Sequence, residues 1–212
     1  MDDLTSAILI GVILLNLFIL GSSRLAACIR VTAVQGAMLS LLPPLVHPIS
    51  LHTLLLAGGA LAIKGFLIPW LLFRAIRQVR IRREIEPRIG YLTTLMIGAL
   101  TTAGAFIFAD RLPLQPEHLH SLFIPAALST LATGFLMLIT RVKAITQVLG
   151  YLIFENGIFA FGVLLAKAMP LMVEAGVLLD MLVAIFVMGI VMNHINREFS
   201  SIDTENLCLL KE

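Results

Sequence analysis

The sequence predicts an all-α polytopic membrane protein of about seven transmembrane helices. Three observations predict it. Hydrophobic residues fill 59% of the 212 positions and charged residues only 13%, with a mean hydropathy of +1.00. A soluble domain of this length needs more polar surface than that. Seven apolar runs are each long enough to cross roughly 30 Å of hydrocarbon at about 1.5 Å per residue. Finally, the basic residues collect in every second connection between those runs, as the positive-inside rule requires.

The runs lie at about 4–21, 25–46, 51–73, 91–109, 119–140, 144–167 and 171–193. The first, within "MDDLTSAILIGVILLNLFIL", has no basic segment before it, and its positive charge follows the apolar stretch. It therefore reads as a membrane helix that stays, not a cleaved signal peptide. Pro43–Pro44 in the second run, and Pro69 with Gly58–Gly59 in the third, are expected to kink or loosen those helices. Between the third and fourth runs, "RAIRQVRIRREIEPR" (Arg74–Arg88) carries six arginines against two glutamates. That loop belongs in the cytoplasm. Ser22–Arg24, the turn at Arg141 and Lys143, and the tail from His194 and Arg197 then fall on the same side. "VHPISLH", "DRLPLQPEHLH" and the turn at Pro170 fall outside. The N-terminus is expected outside and the C-terminus in the cytoplasm. The basic loop reads first as an orientation signal touching anionic lipid headgroups, and second as a docking site for a cytoplasmic partner.

The two cysteines, Cys28 and Cys208, form no pairing or metal-binding pattern. The five histidines fall at helix ends or in loops, not mid-membrane like a haem-binding pair. No nucleophile constellation, metal cluster or nucleotide-binding glycine loop stands out. The chain itself is expected to have no catalytic site, no metal, no cofactor and no nucleic-acid partner.

Polar residues inside the runs carry the functional signal. Glu155 lies twelve residues from both Lys143 and Lys167, roughly 18 Å from either end of its helix. Asp180, Lys64 and Gln35 fall at similar depth in their own helices. A charge there costs on the order of 2.5–3.5 kcal/mol on insertion scales, so it faces a protein interior or a water cavity. Burial disfavours the charged form of acids and lysines alike, which is what a lateral proton path between such groups needs. The plainer reading is a buried pair that holds helices together. Asn156 is a further polar neighbour of Glu155, although adjacent residues diverge by about 100° on a helix.

The two halves of the chain show a repeat. Gln35–Gly36 aligns with Glu155–Asn156 at an offset of 120, and Lys64 with Asp180 at an offset of 116. The division is 1–90 as a first three-helix unit with its basic cytoplasmic loop, 91–118 as a linking helix and outer loop, and 119–212 as a second three-helix unit with a cytoplasmic tail. A parallel duplication of this kind occurs in transporter folds.

The stretch from "GYLIFENG" through the acid of the seventh run to "IDTENLCLLK" resembles the end of the hydrogenase-4 membrane component E family, as does "LAIKGFLIPWLLFRAIRQV" in the third run. These are subunits of formate hydrogenlyase-type, membrane-bound nickel–iron hydrogenases. Their second half is similar to the K-type small subunit of respiratory complex I. The resemblance implies a non-catalytic membrane subunit of an energy-converting hydrogenase in a bacterial or archaeal cytoplasmic membrane. Glu155 and Asp180 would relay protons along the midplane, with Lys64 biasing them and Gln35 and Asn156 in support. Gln35 cannot titrate, so the first half would seal or tune the path. Nickel–iron and iron–sulfur centres would lie in partner subunits. The neighbours would be antiporter-like subunits, a quinone-site-type subunit and the cytoplasmic hydrogenase arm. Two other readings are a scaffold joining antiporter-like subunits and a subunit of a multi-subunit cation/proton antiporter.

Overall fold

The computed structural model describes residues 2–46, 48–79, 88–112 and 122–165. Within them the chain is helical: α1 (Asp2–Gly21), α2 (Leu25–Ser40), α3 (Leu42–Val46), α4 (Leu51–Ala60), a π-helical segment (Leu61–Leu67), α5 (Ile68–Val79), α6 (Tyr91–Asp110), α7 (Phe123–Thr140) and α8 (Ala144–Leu165). Among the described residues, six stretches are long and apolar enough to cross a membrane: Asp3–Gly21, Leu25–Val46, Thr53–Arg74, Tyr91–Asp110, Phe123–Thr140 and Ile145–Leu164. They correspond to the first six predicted runs. The seventh, with Asp180, lies outside the described residues.

The two spans expected to kink or loosen are disturbed in different ways. In the second span the helix stops at Leu41, two residues before Pro43–Pro44, and restarts as α3. A proline lacks the N–H that would continue the ladder, and its ring crowds the carbonyl four residues back. In the third span, by contrast, Gly58 and Gly59 lie within regular α4, and helix continues past Pro69. The disturbance is instead the π turn before Pro69, where the Ile68 N–H reaches back to the Ile63 carbonyl. A π turn widens the helix, and such turns often mark functional positions.

Antiparallel succession gathers Arg24, Arg30, Arg74, Arg88 and Arg141 at one end of the bundle. The Arg141 guanidinium is fully buried there. It donates from Nη2 to the Leu20 carbonyl at 2.9 Å and lies 4.9 Å from the Tyr91 ring centroid. The Arg88 N–H donates to the Thr140 carbonyl. One cation thus fixes the ends of α1, α6 and α7 together and meets the negative end of the α1 dipole. Arg30 over Phe73 and Arg74 over Trp70 occupy the same end on α2 and α5.

The interior is layered. Ile19, Ile29, Ile68, Leu72, Leu149 and Ile153 form an apolar layer toward the basic end. Leu9, Val12, Leu39, Phe123, Ala127 and Phe159 form another toward the opposite end. Polar side chains lie between them. In lipid the apolar side chains gain little by meeting each other, so close backbone approach and interhelical hydrogen bonds hold the helices. The closest approach is the antiparallel α7–α8 pair. A Cβ at Gly150 would lie 3.0 Å from the Leu138 nitrogen and one at Gly157 2.7 Å from the Leu131 nitrogen, while one at Gly134 would strike the Phe154 backbone nitrogen. In the span windows, 67% of the α7 residues and 61% of the α8 residues are buried, against 22% in both the third span and α6. α7 and α8 are therefore the centre of the bundle. On α6, Leu92, Met96, Leu100 and Ile107 form an exposed stripe at helical spacing, as lipid-facing residues do.

Candidate functional site

The site is built from side chains on five elements. The π turn carries Lys64 toward the bundle axis. Its stem crosses α2 at Gly36, where a Cβ would lie only 2.9 Å from the Lys64 Cβ. Glycine leaves the lysine the room to pass. Beyond that crossing the ammonium reaches α8 and lies 2.9 Å from Glu155 Oε1. It also donates to Asn156 Oδ1 at 3.2 Å and lies 4.6 Å from the centroid of the Phe159 ring. Lys64 and Glu155 are both buried, so the pair is held away from bulk solvent.

From the lysine a chain of hydrogen bonds runs across the bundle. Asn156 Nδ2 donates to Gln35 Oε1 at 3.2 Å, and Gln35 Nε2 donates to Asn16 Oδ1 at 2.7 Å. Asn16 Nδ2 then donates to Thr130 Oγ1 at 2.9 Å, and the Thr130 hydroxyl donates to the Ala126 carbonyl at 2.7 Å. Donation runs in one direction throughout, away from the ammonium. Each amide uses its carbonyl toward the lysine and its NH₂ away from it. Dipoles aligned head to tail polarise one another, and they spread the stabilisation of the cation over α8, α2, α1 and α7.

Gln35, Lys64 and Glu155, expected from their depth, and Asn156, expected as a polar neighbour of Glu155, thus belong to one connected cluster. Asp180 lies outside the described residues. Asn156 serves Lys64 and Gln35 rather than its neighbour Glu155, because adjacent positions on α8 project in different directions. Asn16 and Thr130 were not expected. Asn16 is the one polar side chain between Ala7 and Leu20, but it lies five residues from the end of α1, away from central depth. Replacing it with leucine leaves the Gln35 NH₂ group without its acceptor. Asn16→Leu should cost about 1–2 kcal/mol in thermal or denaturant unfolding of the purified protein, in the range for one lost buried or interhelical bond.

An all-helical membrane bundle with a lysine–carboxylate contact buried at its centre defines the class: a polytopic membrane protein with an intramembrane polar core. The chain belongs to the same family as the uncharacterized protein Rv0085 of Mycobacterium tuberculosis, to which it is 31% identical over 205 residues, covering 95% of this chain and 93% of that protein. It is also 27% identical over 160 residues to hydrogenase-4 component E of Escherichia coli K12, covering 74% of this chain and 73% of that protein. Hydrogenase-4 component E of Shigella flexneri matches to the same extent. No protein-family model matches the chain, and no solved structure gives a significant match.

Proposed function

We propose that this chain is a membrane subunit of an energy-converting hydrogenase complex, and that Glu155 exchanges protons within it under the control of Lys64. The observation that carries the reading is the buried Lys64–Glu155 contact at 2.9 Å. Intramembrane ionisable residues are costly and mark ion and proton routes more often than soluble ones do. A proton added to the carboxylate weakens its hold on the ammonium, and a displaced ammonium makes the carboxylate easier to protonate. The two states are therefore coupled. The amide chain has a different part. Asn156, Gln35 and Asn16 neither gain nor lose protons near neutral pH, so they solvate the lysine and close the path on the side of α1 and α2. Asp180, in the seventh run, is the proposed onward station.

The hydrogenase assignment is supported by the likeness to component E. It carries with it nickel–iron and iron–sulfur centres in partner subunits, antiporter-like and quinone-site-type membrane neighbours, and an orientation with the arginine-rich loop in the cytoplasm. The likeness of the second half to the complex I K-type subunit belongs to the same proposal.

The test uses the assembled complex in sealed vesicles. Glu155→Gln keeps size and hydrogen-bonding capacity but not the titration. It should lower proton translocation per turnover at least ten-fold, while the set of co-purifying subunits stays unchanged. Translocation at the wild-type level would end the relay reading and leave the scaffold. Co-purification with antiporter subunits and no iron–sulfur protein would replace the hydrogenase by a cation/proton antiporter.

A further inference from the structure

We infer that water reaches the Lys64–Glu155 pair from the arginine-rich end only, through a site at Thr32, and that Phe159 closes the pair from the opposite end. The inference rests on the reading of Glu155 as a proton-exchanging group and names the side from which it is served. A small pocket opens beside the pair between α2, the third span and α8, with room on the order of one water molecule. Apart from Lys64, Glu155 and Asn156, its lining comes wholly from the basic side of the pair. Thr32 and Ile29 precede Gln35 on α2, Ile68 and Leu72 follow Lys64, and Leu152 precedes Glu155 on α8. Antiparallel packing puts all of these between the pair and the arginines.

Thr32 and Glu155 both line this space, and the Thr32 Oγ1 and the Glu155 carboxylate oxygens are buried without a hydrogen-bond partner among the described residues, Oε1 having the Lys64 ion pair. Buried polar atoms are nearly always satisfied, and leaving one bare in an apolar setting is costly. Thr32, like Thr133, also departs from the habit of several other threonines. Thr94, Thr102, Thr130 and Thr140 each donate to the carbonyl four residues back, which quiets the hydroxyl within its own helix. The Thr32 hydroxyl does not. A water held between Thr32 and Glu155 satisfies both side chains and gives the carboxylate a proton donor on that side.

The opposite side is built differently. Phe159 stands one turn beyond Glu155 on α8, with its ring over the Lys64 ammonium. Behind it lie Leu39, Ala60, Ala160 and Val163, all buried. An aromatic face stabilises the cation there without offering a site for water.

The experiment is side-specific thiol modification by Ag⁺, an ion of near-water size, in a full-length chain carrying Cys28→Ser and Cys208→Ser. Reporters are Thr32→Cys and, as a second position in the same pocket, Ala33→Cys. Ala160→Cys reports the far layer. Vesicles of both orientations are sorted by protease access to the arginine-rich loop. After brief Ag⁺ exposure, protection of each thiol from alkylation is read by mass spectrometry. The expected result is reaction at 32 and 33 at least ten-fold faster from the arginine-rich face, and no reaction at 160 from either face. Adding Phe159→Ala should make 32 reactive from both faces. Inert thiols at both 32 and 33, or equal reaction from either face, overturn the inference. One-sided reaction that persists in Phe159→Ala overturns the role of Phe159. One-sided reaction together with unchanged translocation in Glu155→Gln keeps the water route and removes the relay. Lost translocation with inert 32 and 33 does the reverse.

Discussion

Lys64→Met should destabilise the protein by about 3–5 kcal/mol, and adding Glu155→Leu should return most of that loss. The single substitution leaves a carboxylate buried beside α2 and the third span with no cation to meet it. Removing one partner of a buried pair is far more costly than removing both. The double variant replaces the pair with apolar groups of similar bulk in a site already walled by Ile29, Ile68 and Phe159, and such replacements are often neutral. Asn156 limits the recovery, because its carbonyl also loses the lysine. The measurement is a denaturant or thermal unfolding series of wild type, both single variants and the double variant in one detergent. A double variant as unstable as the sum of the singles would mean that the contact between Lys64 and Glu155 contributes nothing to either. The cycle reads structure alone, so it holds whatever the pair does in turnover.

The second large effect belongs to Gly134. Its added Cβ in Gly134→Ala would run into the Phe154 backbone nitrogen, and backbone on both sides leaves no flexible atom to yield. α7 and α8 must separate, at a cost of about 1–3 kcal/mol or more. Residue 154 is next to Glu155, so the separation also moves the carboxylate. Gly134→Ala should therefore lower the unfolding midpoint and, on the proposed relay, lower proton translocation with it. Gly162→Ala is the control on α8. A Cβ there meets nothing within 4 Å, and neither quantity should change. If Gly134→Ala unfolds at the wild-type midpoint, the close approach of the two helices is not what holds them.

Much of this architecture was legible in the residues, for reasons that differ from element to element. Apolar length gives the six described spans because the backbone in lipid has few other options. Lys64, Glu155 and Gln35 were found by counting, since a polar group in the middle of an apolar run needs a partner and others at the same depth are the nearest supply. Depth alone does not give direction. The order of donation from Lys64 to Ala126 depends on how four helices rotate about their own axes. Asn16 escaped because it is off-centre in α1, and Thr130 because threonine is ordinary in membrane helices and usually bonds its own backbone. The π turn was hidden too. Pro69 and Gly58–Gly59 point to a kinked or loosened third span, but not to a π turn between them, where the lysine must be delivered. Arg141 read only as an inside marker. Its burial against Leu20 and Tyr91 follows from three helix ends meeting, which no single stretch records.

The glycine-tight hairpin and the π turn give the molecule a mechanical asymmetry. The acid rides on α8, clamped backbone to backbone against α7. The base rides on a π-helical turn in a span that is, together with α6, the least covered of the six. Acid and base are thus held differently: Glu155 on a helix seated backbone to backbone against its neighbour, Lys64 on the widened turn Leu61–Leu67.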